Sequence, residues 1–402
     1  MCKYQFGFRK GYSTEQAILE ITDLLKKAMD KKLVTCGLFL DFSKAFDTIN
    51  HDILLSKLYS YGIRGNPLRW FESYLYNRNQ VVKIGDTISS SQTIICGIPQ
   101  GSTLGPLLFL LYINDLPNCS SKLSFRIFAD DTNMFYTSNN LRNLESVMNE
   151  EFKLVVKYCA TNKLSINLSK TNYILVSSSR LSGSINVNDI KIQSQIKYLG
   201  AYIDQHLNWG PQIKHINNKL AKNIGIITKL RHYVNLHTLK QLYYSFIYPY
   251  LTYAITSWGS ACKTRLNKIR TKQNKCIRSI FFAHSRENAT PYYNLLDILK
   301  LDNIFKLKVA LFAHKIINNP TGIPTIFSGT LPLASDFHSH YTRFVSNLNF
   351  RRPLIHNNYG ASTFTFIASK IWETIPLYLK KLYYYPFSKQ YKLYLLNSQS
   401  VP

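Results

Sequence analysis

The stretch SFRIFADDTNMFY, residues 124–136, sets two adjacent aspartates inside an apolar, aromatic run. Phe125, Ile127, Phe128 and Ala129 lead into Asp130 and Asp131, and Met134, Phe135 and Tyr136 follow. Burying unpartnered carboxylates costs far more than it returns. The alternation therefore reads as strand, tight turn and strand, with the acids at the tip and the apolar residues in a sheet. An Asp-Asp pair on its own is also an ordinary hairpin turn, because aspartate favours turns. The rest of the chain has to decide between the two.

Upstream, TEQAILEITDLLKKAMDKK (14–32) has helical spacing with Thr14 as its cap, and LVTCGLFLD (33–41) is a strand-like run ending in Asp41. Asn50 caps the helix HDILLSKLYSYG, which Gly62 ends, and VVKIGDTISSSQTII (81–95) is a hairpin about Gly85-Asp86. Gly105-Pro106 opens an apolar helix, PLLFLLYIND. Residues 140–164 form an amphipathic helix, and a strand follows at 172–177. Interleaved strands and helices over 33–204 predict one α+β domain. After Asp204 the pattern turns helical, over 211–230, 237–258, 262–282 and 303–317. Segment 319–361, rich in Pro, Gly, Ser, His and Asn, reads as a long loop.

Lys and Arg number 49 against 22 Asp and Glu, a formal charge of +27. The excess is uneven: residues 1–204 carry 23 basic and 17 acidic side chains, whereas Gln205 to Arg286 carries 14 basic and none acidic. Such a segment repels itself unless an anion lies against it, which points to nucleic acid ahead of an anionic membrane surface. The seven cysteines have no C-x-x-C spacing and no nearby histidine, so they read as reduced thiols of an intracellular protein, without zinc or disulfides. The first residues lack a signal-peptide core. The longest uncharged run, LYYSFIYPYLTYAITSW (242–258), is too short, too Tyr-rich and interrupted by Pro249 for a membrane span.

A carboxylate pair at a hairpin tip, with Asp41 ending a neighbouring strand, is an oxygen-ligand set of the kind Mg²⁺ takes. Two such ions, with Mn²⁺ as a substitute, suit an in-line nucleotidyl transfer from a 3′-hydroxyl. Three ordered blocks carry a resemblance that favours this reading over a plain turn. LFLDFSKAFDTIN (38–50), GIPQGSTLGPLLFLLYINDLP (97–117) and FADDT (128–132) resemble the palm motifs of reverse transcriptases, specifically those of jockey-like non-LTR retrotransposons. QFGFRKGYSTEQAI (5–18), NKLSINLSKTNYILV (162–176), IKYLGAYIDQHLNW (196–209), SFIYPYLTYAITSWG and TFIASKIWETIPLYLK (365–380) extend it over nearly the whole chain.

The resemblance implies an RNA-directed DNA polymerase with a right-hand α+β fold. Partial fingers would take 1–33, the palm 34–204, a basic helical thumb 205–286 and a helical C-terminal region 287–402. It makes Asp41, Asp130 and Asp131 the catalytic, metal-binding carboxylates, completed by the Phe42 carbonyl. Phe46 would exclude a 2′-hydroxyl, or else be a core phenylalanine. Gln100 and Gly101 would lie beside the incoming nucleotide and template, Arg9 on the triphosphate, and Lys170 near the pyrophosphate, or else on solvated surface. Tyr198, Leu199 and Gly200 would grip the primer end. Leu266, Ile269, Cys276, Ile277 and Ile280 would pack the thumb helix inward, freeing Lys268, Arg270, Lys272, Lys275 and Arg278 for phosphates. Implied partners are template RNA, primer or target DNA and dNTPs, with no membrane and no stable protein partner, and the nucleus as the working compartment with the cytoplasm as the alternative. Family members usually carry an endonuclease and more fingers ahead of QFGFRK, so an N-terminally truncated copy is expected. The alternative is an inactive relic or repurposed RNA-binding protein that keeps only the basic surface.

Overall fold

The computed structural model describes residues 1–179, 183, 185–318, 322–337 and 342–399. Contacts divide the chain into two units. The first holds Met1–Ser13, Val34–Leu175 and residues up to Gln193; the second holds Thr14–Leu33, a short piece from Val176, and everything described from Ser194 on. This division differs from the four segments drawn from the sequence, because helix Thr14–Asp30 and the 194–204 stretch group with the later helices.

The first unit is built on a five-stranded sheet in the order Ser124–Phe128, Asp131–Ser138, Val34–Leu40, Asn172–Val176, Lys191–Ile192. The opening stretch is the strand–turn–strand that its alternation implied, with Phe128 paired to Asp131 across a turn of Ala129 and Asp130. Phe125, Ile127, Met134 and Phe135 are buried; each stabilises the sheet by roughly 1.5–3 kcal/mol of transfer free energy. Val34–Leu40 pairs antiparallel with the second arm, Gly37 opposite Phe135 and Leu40 opposite Thr132. Helix Leu141–Thr161, capped by the Asn140 side chain on the Arg142 N–H, packs on these strands. Asn50 caps His51–Ser60 as its sequence implied, accepting from the Ile53 N–H at 3.0 Å.

Two features of this unit were not read in advance. Helix Asn66–Leu75 went unread although its periodicity is clear: Leu68, Phe71 and Tyr74 pack against the core beside buried Leu75, while Trp70 is exposed. The 81–95 hairpin turns at Gly85 as anticipated, but a second strand pair encloses it, Arg78–Gln80 with Gln92–Ile94.

In the second unit the hairpin Gln195–Tyr198/Ala201–Asp204 precedes the helices Gly210–Leu230, Lys263–Ile280 and Leu301–Asn318. The single helix expected over 237–258 is three: Leu236–Phe246, Tyr248–Thr252 and Ile255–Trp258. Pro249 cannot continue the first, and Ala254 at φ +52° breaks the second from the third. The 319–361 loop lies partly outside the described residues. Its described part contains short helical turns at Thr325–Phe327, Ala334–Asp336, Arg343–Ser346 and Asn358–Ala361.

The Thr14–Asp30 helix is tied into this unit at its C-terminal end and along its length. Asp30 accepts the backbone N–H groups of His356 and Asn357, each at 2.9 Å, and its Oδ2 lies 3.0 Å from His356 Nδ1. Burial pushes the Asp30 carboxyl up, but those hydrogen bonds win and hold it below the usual range. Lys26, inside the same helix, is buried with its ammonium on the carbonyls of Ser257 and Ser362 and the hydroxyl of Ser260.

Candidate active site

The register of the sheet places the three aspartates. Leu40 is the last residue of its strand to pair, opposite Thr132, so Asp41 comes next at the level of Asp131, with Asp130 beside it in the turn. The opposite side of Asp41 is held by NLSKT. The Asn167 N–H donates to the Asp41 carbonyl at 2.8 Å, the Asp41 N–H donates to Thr171 Oγ1 at 3.3 Å, and Ser43 donates to the Ser165 carbonyl at 2.8 Å. Because residues 41 and 43 spend their backbone groups on that segment, Phe42 between them directs its own carbonyl away from it. The same NLSKT turn carries Lys170, whose ammonium is 4.0 Å from Asp41 Oδ2.

Electrostatically the aspartates act as a group. Desolvation at the hairpin, followed by the charges of Asp130 and Asp41, pushes the Asp131 carboxyl up to about 6. A carboxylate whose proton affinity is raised by two neighbouring carboxylates sits where positive charge is short, and hard oxygen donors of this type suit Mg²⁺. Among the described residues, however, no three His, Cys, Asp or Glu side chains are gathered into a ready-made metal cluster. The donors suit the ion in chemistry and lie next to one another at the end of the sheet, but their side chains do not converge on one point.

The GIPQG block sits against the residues that follow Asp41. Gly97 adopts φ +82°, and a side chain there would meet the Asp47 carbonyl at 2.7 Å, so only glycine lets the two segments touch. Its N–H donates to the Ile49 carbonyl at 2.7 Å, and its carbonyl is 2.7 Å from the Nε2 of buried His51. Gln100 donates to Asp47 Oδ1 at 2.7 Å, and Gly101, at φ +79°, faces open space. Lys44, Asp47, Arg78, Gln80, Thr93 and Gln100 are among the residues lining a cavity of about 640 Å³ here. Sequence reading passed over Asp47 and His51, although both lie inside or beside the quoted LFLDFSKAFDTIN block.

Other anticipated residues are engaged in ways the sequence did not disclose. The Phe46 ring stacks on Phe109 at 4.4 Å, so it packs on the core whatever else it does. Arg9 is folded back: its Nη1 donates to the carbonyls of Cys2 and Gln5, and the guanidinium lies 4.0 Å from the centre of the Tyr12 ring.

In the second unit, Tyr198 is buried, and Leu199 and Gly200 form the hairpin turn at φ +43° and +83°. The Tyr253 hydroxyl donates to the Leu199 carbonyl. Leu266, Ile269, Cys276, Ile277 and Ile280 all face inward on Lys263–Ile280, as expected. The outward cations are not all free. Arg270 forms a two-pronged ion pair with Asp302, at 2.6 and 2.9 Å, and Arg278 donates to the Glu287 carbonyl at 2.6 Å. Both acceptors follow the acid-free segment in the chain, out of view of a reading of 205–286 alone. Lys268, Lys272 and Lys275 have no ion-pair partner among the described residues. No described helix is long and apolar enough to cross a membrane.

The profile of the family described as Reverse transcriptase (RNA-dependent DNA polymerase) matches residues 1–203. The probable RNA-directed DNA polymerase from transposon BS of Drosophila melanogaster is 29% identical over 298 residues, covering 69% of this chain and 32% of that protein. The RNA-directed DNA polymerase from mobile element jockey of the same species is 28% identical over 332 residues, covering 79% of this chain and 35% of that protein. The chain thus spans about a third of the length of these curated relatives. Among solved structures, a telomerase from Candida albicans in complex with a fragment of telomeric RNA overlays with a TM-score of 0.36 at 13% identity, covering 76% of this chain and 53% of that one.

Proposed function

The chain belongs to the reverse transcriptase (RNA-dependent DNA polymerase) family, and from that premise we propose that it extends a DNA 3′-hydroxyl on an RNA template, as part of a non-LTR retrotransposon. One observation carries the proposal: the register that brings Asp41 level with Asp131, beside Asp130. Asp41, Asp130, Asp131 and the Phe42 carbonyl would hold two Mg²⁺ ions. Bound there, the metal supplies positive charge to the attacking 3′-oxygen and the leaving pyrophosphate.

The chain's own residues do the rest. Lys170, close to Asp41, protonates the departing pyrophosphate. Arg9 is pre-oriented by two carbonyls and an aromatic ring, which leaves the rest of its fork for the triphosphate. The Phe46 ring, fixed by Phe109, rejects a 2′-hydroxyl, and Gln100, tied to Asp47, flanks the incoming base while Gly101 admits the template. The turn of Tyr198, Leu199 and Gly200 serves the primer end. Lys268, Lys272 and Lys275 hold backbone phosphates, with Arg270 and Arg278 shaping the helix that presents them. In this reading residues 1–13 are fingers, the five-stranded sheet is the palm and the basic helices are the thumb. A chromosomal DNA end as primer places the work in the nucleus.

The test is primer extension on an RNA template with dNTPs and Mg²⁺, beside a chain carrying Asp130→Ala and Asp131→Ala. Extension by the parent alone is expected. Extension by both, or RNA binding without extension by either, overturns the proposal, and the latter leaves a nucleic-acid-binding protein.

A further inference from the structure

We propose that Gln5 is a positioning residue that sets the carboxylate turn and ties it to Arg9, an inference that rests on the polymerase reading above. Gln5 is 2% exposed, and its side-chain Oε1 accepts two backbone N–H groups, from Gly7 at 2.7 Å and from Ala129 at 3.0 Å. Both partners are donors, so the amide oxygen, not the nitrogen, must face them. Ala129 is the residue immediately before Asp130. It is buried and stands at φ +55°, a conformation that an L side chain adopts only when its surroundings hold it. Without Gln5 its N–H would be a buried donor with no acceptor.

The backbone repeats the connection. Phe6 donates to the Ile127 carbonyl at 2.8 Å and Ile127 donates to the Tyr4 carbonyl at 3.0 Å, so residues 4–6 run along the free edge of the hairpin. A Cβ on Gly7 would fall 2.4 Å from the Ala129 nitrogen, which leaves room there only for glycine. The Gln5 carbonyl, for its part, accepts from Arg9 at 3.1 Å. One residue thus fixes two parts of the site: its side chain holds the turn that presents Asp130, and its main chain holds the guanidinium assigned to the triphosphate.

The deciding comparison is Gln5→Glu, which keeps an oxygen acceptor of the same length, against Gln5→Leu, which fills the space without one. For Gln5→Leu, kcat in primer extension should fall about 10- to 100-fold, the size expected when buried donors lose their acceptor. The dNTP KM, the half-saturating Mg²⁺ concentration and the Mn²⁺ dissociation constant of the nucleic-acid-free chain should all rise. Hydrogen exchange should quicken over residues 124–131, with RNA affinity close to the parent's and a melting temperature only a few degrees lower. Gln5→Glu should recover most of kcat and the parental exchange pattern. Gln5→Leu with parental Mn²⁺ affinity and parental exchange at 124–131 overturns the inference, as does a Gln5→Glu chain that melts like the parent yet is as impaired as Gln5→Leu. If the parent proves unable to extend a primer, the polymerase reading fails, but the Mn²⁺ and exchange measurements still decide what Gln5 does.

Discussion

Asp41, Asp130 and Asp131 contribute little to holding the protein together, since all three are at least partly exposed at the end of a sheet whose stability comes from the apolar residues behind them. Replacing any one by Asn should lower the extension rate by about a thousandfold or more, on the scale of lost metal catalysis. The melting temperature should move by no more than a degree or two. A large melting shift would mean that they are structural acids. Phe46 is the opposite case, because its ring packs on Phe109. Phe46→Ala should cost about 1–3 kcal/mol of stability by denaturant titration and also lower the preference for dNTPs over rNTPs. Loss of stability with unchanged sugar choice would make it a core residue alone. At this scale the sequence was legible where a residue's chemistry is rare in its setting, as with two acids in an aromatic run. It was silent on Gln5, Asp47 and His51, whose importance comes from partners up to 124 residues away.

Among the elements, the Lys263–Ile280 helix gives the sharpest division of labour. Replacing Lys268, Lys272 and Lys275 together by Ala should weaken RNA and hybrid binding and reduce the steepness of its salt dependence by about 2–3 in the log–log slope, close to one per phosphate contact. Arg270→Ala should leave that slope nearly unchanged and lower the melting temperature instead, because it breaks the pair with Asp302. The reverse pattern would mean that Arg270 leaves Asp302 for phosphate. The apolar face of this helix followed from its spacing, since each inward position returns every three or four residues. Which cations were already engaged did not, because the acceptors come from residues 287 and 302. The same limit explains the 237–258 segment: periodicity continued through Pro249 and Ala254 while the backbone did not.

For the whole molecule, two lysines make stability depend on pH. Burial lowers Lys26 from 10.5 to about 8 and Lys380 likewise, each only partly offset by a nearby carboxylate, Asp23 and Glu373. A depressed lysine binds fewer protons folded than unfolded between those values, so each contributes stability that grows from about pH 8 to 10.5, opposed above about 9 by the buried cysteines whose proton affinity is raised. For Lys26 the contribution is on the order of 3 kcal/mol, and Lys26→Met should remove that upward contribution from the pH dependence of the urea midpoint over the window. The seven cysteines are all free, with Cys96 and Cys262 exposed and Cys36, Cys159 and Cys276 buried. Burial pushes Cys159 and Cys276 up to about 12, and Cys36 well above its usual value. A thiol reagent at neutral pH should therefore modify Cys96 and Cys262 quickly and reach those three only on unfolding. Fast labelling of Cys36 in the native protein would contradict the sheet as described.

The anchoring of Asp30 by His356 and Asn357 has a consequence for biogenesis. These partners lie 326 and 327 residues apart in the chain, so at about 5–20 residues per second the ribosome needs roughly 15–65 s to deliver the second after the first. Throughout that interval the helix carrying Ala17, Ile18, Ile21, Leu25 and Met29 has emerged without the surfaces that later bury those residues. Nascent chains stalled midway through synthesis should thus display a greasy, unsatisfied helix, and chaperone crosslinking should peak on it and fade once residues 356–364 leave the tunnel.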